Sequence, residues 1–240
     1  MAETVPNTKN SDQFCYDLPS KFQPDIGLIL VTGASGYIGG RLVPELMARG
    51  YRVRVMVRAE SPEYALRWPG AEIIVADALD PKALAIALNG VDTAYYLLHS
   101  LQLGPRKFEG VDLEAAGNFC VAAEQQQVKR IIYLGGLGDV RNPLSSHLCS
   151  RMAIADQLRQ GRTPVTILRA AIIIGSGSAS YEIIYYLVKK LPLIFLPDWA
   201  ANKCQLKPIS YKESLVRAIS RLEQDSVSTR WSDAYPPAHE

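Results

Sequence analysis

Three glycines stand at a fixed spacing within the stretch Leu28 to Arg41, at Gly33, Gly36 and Gly39. They follow a short apolar run and precede apolar residues that recur every four positions, which predicts a strand, a tight turn and a helix. Glycine in such a turn allows a sharp change of direction, close approach of main chain to a ligand, and tight packing of the helix on the sheet. Because the first amides of a helix attract anions, the pattern predicts a phosphate-binding site.

The amides that would bind the anion belong to residues near Ser35, Tyr37 and Ile38. An ordinary strand-to-helix turn can carry the same glycines, since a Gly-rich turn alone is a weak signal. The position of this turn, after an apolar strand and before an amphipathic helix, favours a dinucleotide diphosphate.

An arginine directly follows the second predicted strand, Arg52–Val57. Arg58 stands nineteen residues after Gly39, where the chain of a dinucleotide-binding fold meets the adenosine ribose. An acid there would hold the 2′-hydroxyl of NAD, whereas an arginine accommodates a 2′-phosphate. Arg58 therefore favours NADP(H) over NAD(H), with Arg41 as a candidate helper. The alternative for Arg58 is a solvated charge at the end of a strand.

The third and fourth strands are predicted at 71–76 and 91–98, and each is followed by polar residues. Asp77, with Ala78 beside it, is placed either to accept a hydrogen bond from the adenine amino group or to cap the next helix. His99 would reach the crevice at the end of the fourth strand. A lone histidine at such a place is more often a hydrogen-bonded structural residue than a catalyst.

The elements that position these residues alternate between β-like and helical patterns, which predicts an α/β fold with a parallel sheet covered on both faces. The 240 residues, 48% of them hydrophobic, suit one large domain. We expect a mobile extension over 1–24, a nucleotide-binding domain over 25–222 and a tail over 223–240. The later elements are predicted as helix 105–127, strand 130–134, helix 148–160, strand 165–168, and helices 181–191 and 211–222.

Composition excludes several other classes of protein. The formal net charge is +2 and there is no basic block, so we expect no nucleic-acid partner. Four widely spaced cysteines predict reduced thiols and no metal site. Without a secretory-type leader or an apolar run of membrane-spanning length, a cytoplasmic location is expected.

Four segments together resemble the short-chain dehydrogenase/reductase superfamily: Thr32–Gly39, Asp77, Val128–Leu134 and Leu168–Ala170. Within it the chain is similar to the atypical, epimerase-like group of NAD(P)-binding proteins. The resemblance implies a Rossmann fold, a doubly wound sheet with strand order 3-2-1-4-5-6-7. It also implies that the nicotinamide lies near a set of residues at the ends of later strands: Leu97, Leu98, His99, Gly135, Ala170, Ala171 and Ile172.

The sequence departs from the catalytic pattern of that superfamily. Active members carry a serine or threonine after the fifth strand, a Tyr-x-x-x-Lys pair on the next helix and often an asparagine on the long helix. The corresponding positions here are Gly135, His147, Arg151 and Asp112. In one interpretation His147 replaces the tyrosine as proton donor and Arg151 holds ribose or phosphate. In the other, His147 is a polar residue at the helix start and Arg151 only clamps the cofactor.

Two functions follow from these features. One is an NADP-linked oxidoreductase or epimerase-like protein acting on a small carbonyl or quinone-type compound without the usual Ser-Tyr-Lys set. The other is a catalytically inactive NADP(H)-binding regulator or assembly factor that contacts another protein. Pairing as a homodimer is expected only by analogy with the superfamily.

Overall fold

The computed structural model describes residues 21–99, 105–137, 146–170, 173–178, 181–182 and 185–186, with only the backbone described at 105–109 and 146–147. The chain divides into two compact units, Met1–Ala170 and Ala171–Glu240. In the described part of the second unit, residues 181–182 and 185–186 are helical, within the predicted helix 181–191. Two of the predicted cofactor residues, Ala171 and Ile172, lie outside the described residues, as do the predicted helix 211–222 and any seventh strand.

The first unit alternates strands and helices, and its six strands form one parallel sheet in the order β3-β2-β1-β4-β5-β6. This arrangement confirms the predicted Rossmann-type sheet for those strands. The elements are β1 (Leu28–Thr32), α1 (Tyr37–Ala48), β2 (Val53–Val57), α2 (Pro62–Arg67), β3 (Glu72–Val75), α3 (Pro81–Leu88), β4 (Val91–Tyr96), α4 (Pro105–Gln125), β5 (Arg130–Gly136), α5 (Ser146–Leu158) and β6 (Val165–Ala170).

The sheet has a hydrophobic core on each face. Along β1, Leu28 and Leu30 join one core while Ile29 and Val31 join the other, as the two-residue period of a strand requires. Residues of α3, α4 and α5 cover the first core; α1 and Trp68, at the end of α2, cover the second. Burial on both faces is typical of a central parallel strand and explains why β1 is apolar throughout.

Helix α1 ends just before Gly50, a residue type that is common at helix C-termini. Gly50 has a φ of +88° and its N–H donates to the Met47 carbonyl at 2.9 Å, while the Tyr51 N–H donates to the Leu46 carbonyl at 3.1 Å. These two bonds form a Schellman motif, which satisfies the last carbonyls of the helix. The helix continues through Pro44.

Some element boundaries differ from the expected ones. Strand β4 ends at Tyr96 rather than residue 98, and the next amide, Leu97 N–H, bonds to a side chain of β1. Strands β5 and β6 extend two residues further than predicted because Gly135 and Gly136, typical turn residues, pair with the end of β6. The short helix α2 is not among the predicted elements, although Ser61 followed by proline is a helix-start signal.

Within the described part of the chain, no helix is both long enough and apolar enough to cross a membrane. The cytoplasmic location stays a prediction.

Candidate cofactor site

Strands β1 and β4 are neighbours at the point where the strand order reverses. At the carboxyl ends of these strands, the Thr32 side chain of β1 is hydrogen-bonded to the backbone at the end of β4. The Thr32 hydroxyl donates to the Tyr95 carbonyl at 3.0 Å and accepts the Leu97 N–H at 3.0 Å. Thr32 is fully buried, so both bonds are shielded from water. They fix the chain leaving β4, including half-buried Leu97 and Leu98, beside the glycine turn at the point where α/β sheets bind ligands.

Two of the three glycines are required by the fold itself. Gly33 has a φ of +62°, and a Cβ there would lie 2.6 Å from the Leu97 carbonyl oxygen. A Cβ on Gly39 would lie 2.4 Å from the Gly33 carbonyl oxygen. The turn, the first turn of α1 and the end of β4 are therefore in direct backbone contact.

Gly36 differs from the other two glycines because an added Cβ would meet fewer atoms, although the one contact is tight. Its φ and ψ of −72° and 172° suit any residue, and an added Cβ would meet only the Gly33 carbonyl oxygen, at 3.2 Å. As N-cap of α1 it offers no side chain to the first helical amides, and the helical bonding begins with Gly40 N–H donating to the Gly36 carbonyl at 2.8 Å. Half-buried Ser35 and Ile38 flank this opening. A hollow bounded by main chain at a helix start fits a diphosphate.

The two arginines at this edge differ in their partners. Arg58 follows β2 directly and is exposed, and no hydrogen bond or ion pair joins it to the described residues. The Arg41 guanidinium lies 3.9 Å from the centroid of the Tyr37 ring, and its Nη1 donates to the Tyr37 carbonyl at 3.4 Å. Arg58 is thus the cation that can turn to a ligand phosphate without breaking a bond within the described chain.

Asp77 is exposed after β3, and its Oδ1 accepts the Leu79 N–H at 2.9 Å. The cap of α3 is a different residue, Asp80, whose Oδ1 accepts the Lys82 and Ala83 amides at 2.9 and 3.3 Å. The capping alternative for Asp77 is therefore wrong. Its contact with adenine stays a prediction, as does that of the buried Ala78.

The end of β5 is bonded to helix α5. Arg151 Nη1 donates to the Leu134 carbonyl at 2.8 Å, and the Tyr133 hydroxyl donates to the Arg151 carbonyl at 3.2 Å. Burial raises the pKa of Tyr133, while the charge of Arg151 acts in the opposite direction. Arg151 thus positions the strand end that carries Gly135. His147 lies in the first turn of α5, but its side chain is outside the described residues.

His99 is paired rather than alone. Its Nδ1 lies 3.3 Å from Oδ2 of Asp112 on α4, with only 10% of the His99 side chain and 5% of the Asp112 side chain exposed. Burial, and next the Asp112 charge, raise the pKa of the neighbouring Tyr96. The signal for this pair was the position of Asp112: it lies three and four residues before the buried Ala115 and Ala116, and so on the inner face of α4.

We expect Gly36→Ala to separate ligand binding from folding. The new methyl group would occupy the hollow and raise the Kd for NADPH about tenfold or more, a loss of at least about 1.4 kcal/mol, while the free energy of unfolding changes by less than about 1 kcal/mol. Fluorescence titration and urea denaturation measure the two quantities.

Gly39→Ala is the matched comparison, since its Cβ would meet backbone at 2.4 Å and should lower the free energy of unfolding by about 1–3 kcal/mol. Unchanged NADPH affinity in Gly36→Ala would contradict the assignment of the hollow.

Known structures with this architecture bind nicotinamide cofactors. The chain aligns over 60% of its length with 49% of the Citrobacter sp. triphenylmethane reductase complexed with NADP(H), at 25% identity and a TM-score of 0.50. It aligns over 70% of its length with 61% of the Bordetella bronchiseptica enzyme WbmG in complex with NAD, at 19% identity and a TM-score of 0.59. The second likeness concerns the fold alone.

Curated relatives include enzymes and an assembly factor. They are a 3-beta-hydroxysteroid dehydrogenase of Mycolicibacterium neoaurum (33% identity; 45% of this chain, 32% of the relative), a ceramide reductase of Caulobacter vibrioides (26%; 70% and 53%) and the photosystem II assembly factor Ycf39 of Guillardia theta (29%; 45% and 35%). The chain therefore matches about a third to a half of the length of these relatives.

A family model described as NAD(P)H-binding matches residues 33–185, more than half of the chain. The match begins at the first glycine of the turn and continues through β6. The expected resemblance to the short-chain dehydrogenase/reductase superfamily is confirmed, and the chain belongs to the NAD(P)H-binding family.

Proposed function

We propose that this protein is an NADP(H)-linked oxidoreductase that acts on a small carbonyl or quinone-type compound. The observation that supports this most directly is the main-chain hollow at Gly36, with the exposed Arg58 at the adjacent strand end. The curated relatives named as a dehydrogenase and a reductase point to the same reaction class.

The chain's own residues would bind and orient the cofactor. Amides at the start of α1 would hold the diphosphate, favoured by the positive end of the helix dipole. The hydrogen bonds of Thr32 keep the end of β4 against the glycine turn, so the two walls of the crevice stay in register. When bound, the cofactor supplies or accepts a hydride.

The preference for NADP(H) rests on Arg58. A 2′-phosphate gives guanidinium a doubly charged, bidentate partner that a 2′-hydroxyl cannot match. Structural neighbours are complexed with either cofactor, so the fold alone does not set the choice.

We expect Arg58→Ala to raise the Kd for NADPH about tenfold and to change that for NADH less than about twofold, since only the phosphate contact is lost. Titration of both cofactors by fluorescence gives the ratio. Arg52→Ala is the matched control, because Arg52 is an exposed arginine at the opposite end of the same strand. If Arg58→Ala keeps the wild-type preference, the argument from this residue fails.

The proposed reaction is tested by NADPH oxidation against a panel of small aldehydes, ketones and quinones. We expect at least one compound to be reduced, with the loss of NADPH absorbance equal to the product formed. The sequence-based hypothesis for His147 predicts that His147→Ala removes this turnover while leaving cofactor affinity nearly unchanged. Retained turnover in that variant would assign the proton donor to another group.

A regulator or assembly factor is the second candidate function. It is favoured by the lack of a Tyr-x-x-x-Lys pair after β5 and by the similarity to a photosystem II assembly factor. In this case NADPH binds without turnover of any panel compound, and cofactor occupancy changes the affinity for another protein.

A further inference from the structure

We propose that His99 and Asp112 form the acid–base pair of the crevice, replacing the tyrosine and lysine of the superfamily. His99, in place of His147, would be the residue that exchanges a proton with the substrate oxygen, and Asp112 would be the residue that positions it. This inference rests on the proposed function, because it assigns the proton transfer that carbonyl reduction needs.

The backbone brings His99 to the cofactor end of the sheet. It lies two residues beyond Leu97, whose amide is bonded to Thr32 and whose carbonyl oxygen abuts Gly33. Strands β1 and β4 are neighbours at the reversal of strand order, so residues just after β4 border the crevice where ligands bind in such sheets.

The pair also has the geometry that orients an imidazole. With Asp112 Oδ2 at 3.3 Å from Nδ1, the carboxylate favours the tautomer with the proton on Nδ1 and orients the ring. Both side chains are about nine-tenths buried or more, so the Coulomb interaction is weakly screened. Nε2, the ring nitrogen that does not face Asp112, is buried and is the atom that would meet the substrate oxygen.

Two tyrosines near Asp112, and the Arg151 bonded to one of them, are less suited to this role. Burial raises the pKa of both Tyr96 and Tyr133, so their hydroxyls hold their protons at neutral pH. The Tyr133 hydroxyl already donates to the Arg151 carbonyl, and the Arg151 guanidinium donates to Leu134.

The reaction balances with these groups. The carbonyl carbon gains the hydride, with its electron pair, that the cofactor supplies when bound, and the C=O π pair moves onto oxygen. A new O–H bond forms at that oxygen as the N–H bond at Nε2 of His99 breaks. His99 becomes neutral, the product and the oxidised cofactor leave, and solvent that then enters the crevice returns the proton to His99.

The first test compares His99→Gln and Asp112→Asn with wild type in NADPH-dependent turnover. We expect kcat to fall about 100-fold or more in His99→Gln, the usual loss when a general acid is removed, and to fall clearly in Asp112→Asn. The Kd for NADPH should stay within about twofold. Asp112→Asn restores the asparagine that active members of the superfamily often carry, so it should fold even if His99→Gln does not; urea denaturation checks both.

The second test needs no turnover. Ring-nitrogen NMR of protein labelled at histidine is recorded with NADP⁺ and with 2′-phospho-ADP-ribose, which lacks the nicotinamide. The His99 signals, identified by their loss in His99→Gln, should move with NADP⁺ and not with the truncated ligand. Arg162→Ala, in an exposed residue near the opposite edge of the sheet, is the control for both tests.

The outcomes separate this inference from the proposed function. If wild type reduces a panel compound and both variants keep kcat within about threefold, the acid–base assignment is wrong while the oxidoreductase stands. If wild type binds NADPH but reduces nothing, the proposed reaction fails. The NMR comparison then decides: unmoved His99 signals, or equal movement with both ligands, overturn the place of the pair at the nicotinamide.

Discussion

The structure depends on direct backbone contact between the glycine turn and the end of β4. At Gly33 and Gly39 a single methyl group would lie within 2.6 Å of main-chain atoms, and Thr32 adds two buried hydrogen bonds across the same junction. Each such bond contributes about 0.5–1.5 kcal/mol. Their larger effect is geometric, because they set the distance between the helix start proposed to hold the diphosphate and the segment that carries His99.

The two faces of the sheet are covered by different helices, and each face carries a different part of the candidate site. On one face, α1 and Trp68 pack against β1 and β2, which carry the glycine turn and Arg58. On the other, α3, α4 and α5 cover a core that includes Tyr96, Phe119 and Tyr133. Asp112 belongs to this second layer, so its pairing with His99 links the helix layer to the crevice. A buried carboxylate without such a partner would be strongly destabilising.

The sequence was sufficient for the parts of the fold that local patterns determine. The apolar run of β1 and the spacing of the three glycines predict a strand, a turn and a helix, and the resemblance to a known superfamily implies the strand order. The sequence was insufficient where tertiary contacts decide. Gly135 and Gly136 extend β5 only because β6 pairs with them, and Asp80 rather than Asp77 caps α3. The partner of His99 lies on another element, so the sequence around His99 does not reveal the pair. The position of Asp112 on the inner face of α4 was the one signal that could have indicated it.

The central claim is that bare main-chain amides at the start of α1 hold a dinucleotide diphosphate, and a crystal structure of the protein with NADP⁺ tests it most directly. The account predicts diphosphate oxygens at about 2.7–3.2 Å from main-chain nitrogens in the Gly36–Gly39 segment. Side chains or ordered solvent filling that hollow at saturating NADP⁺, with the diphosphate absent or bound elsewhere, would contradict it.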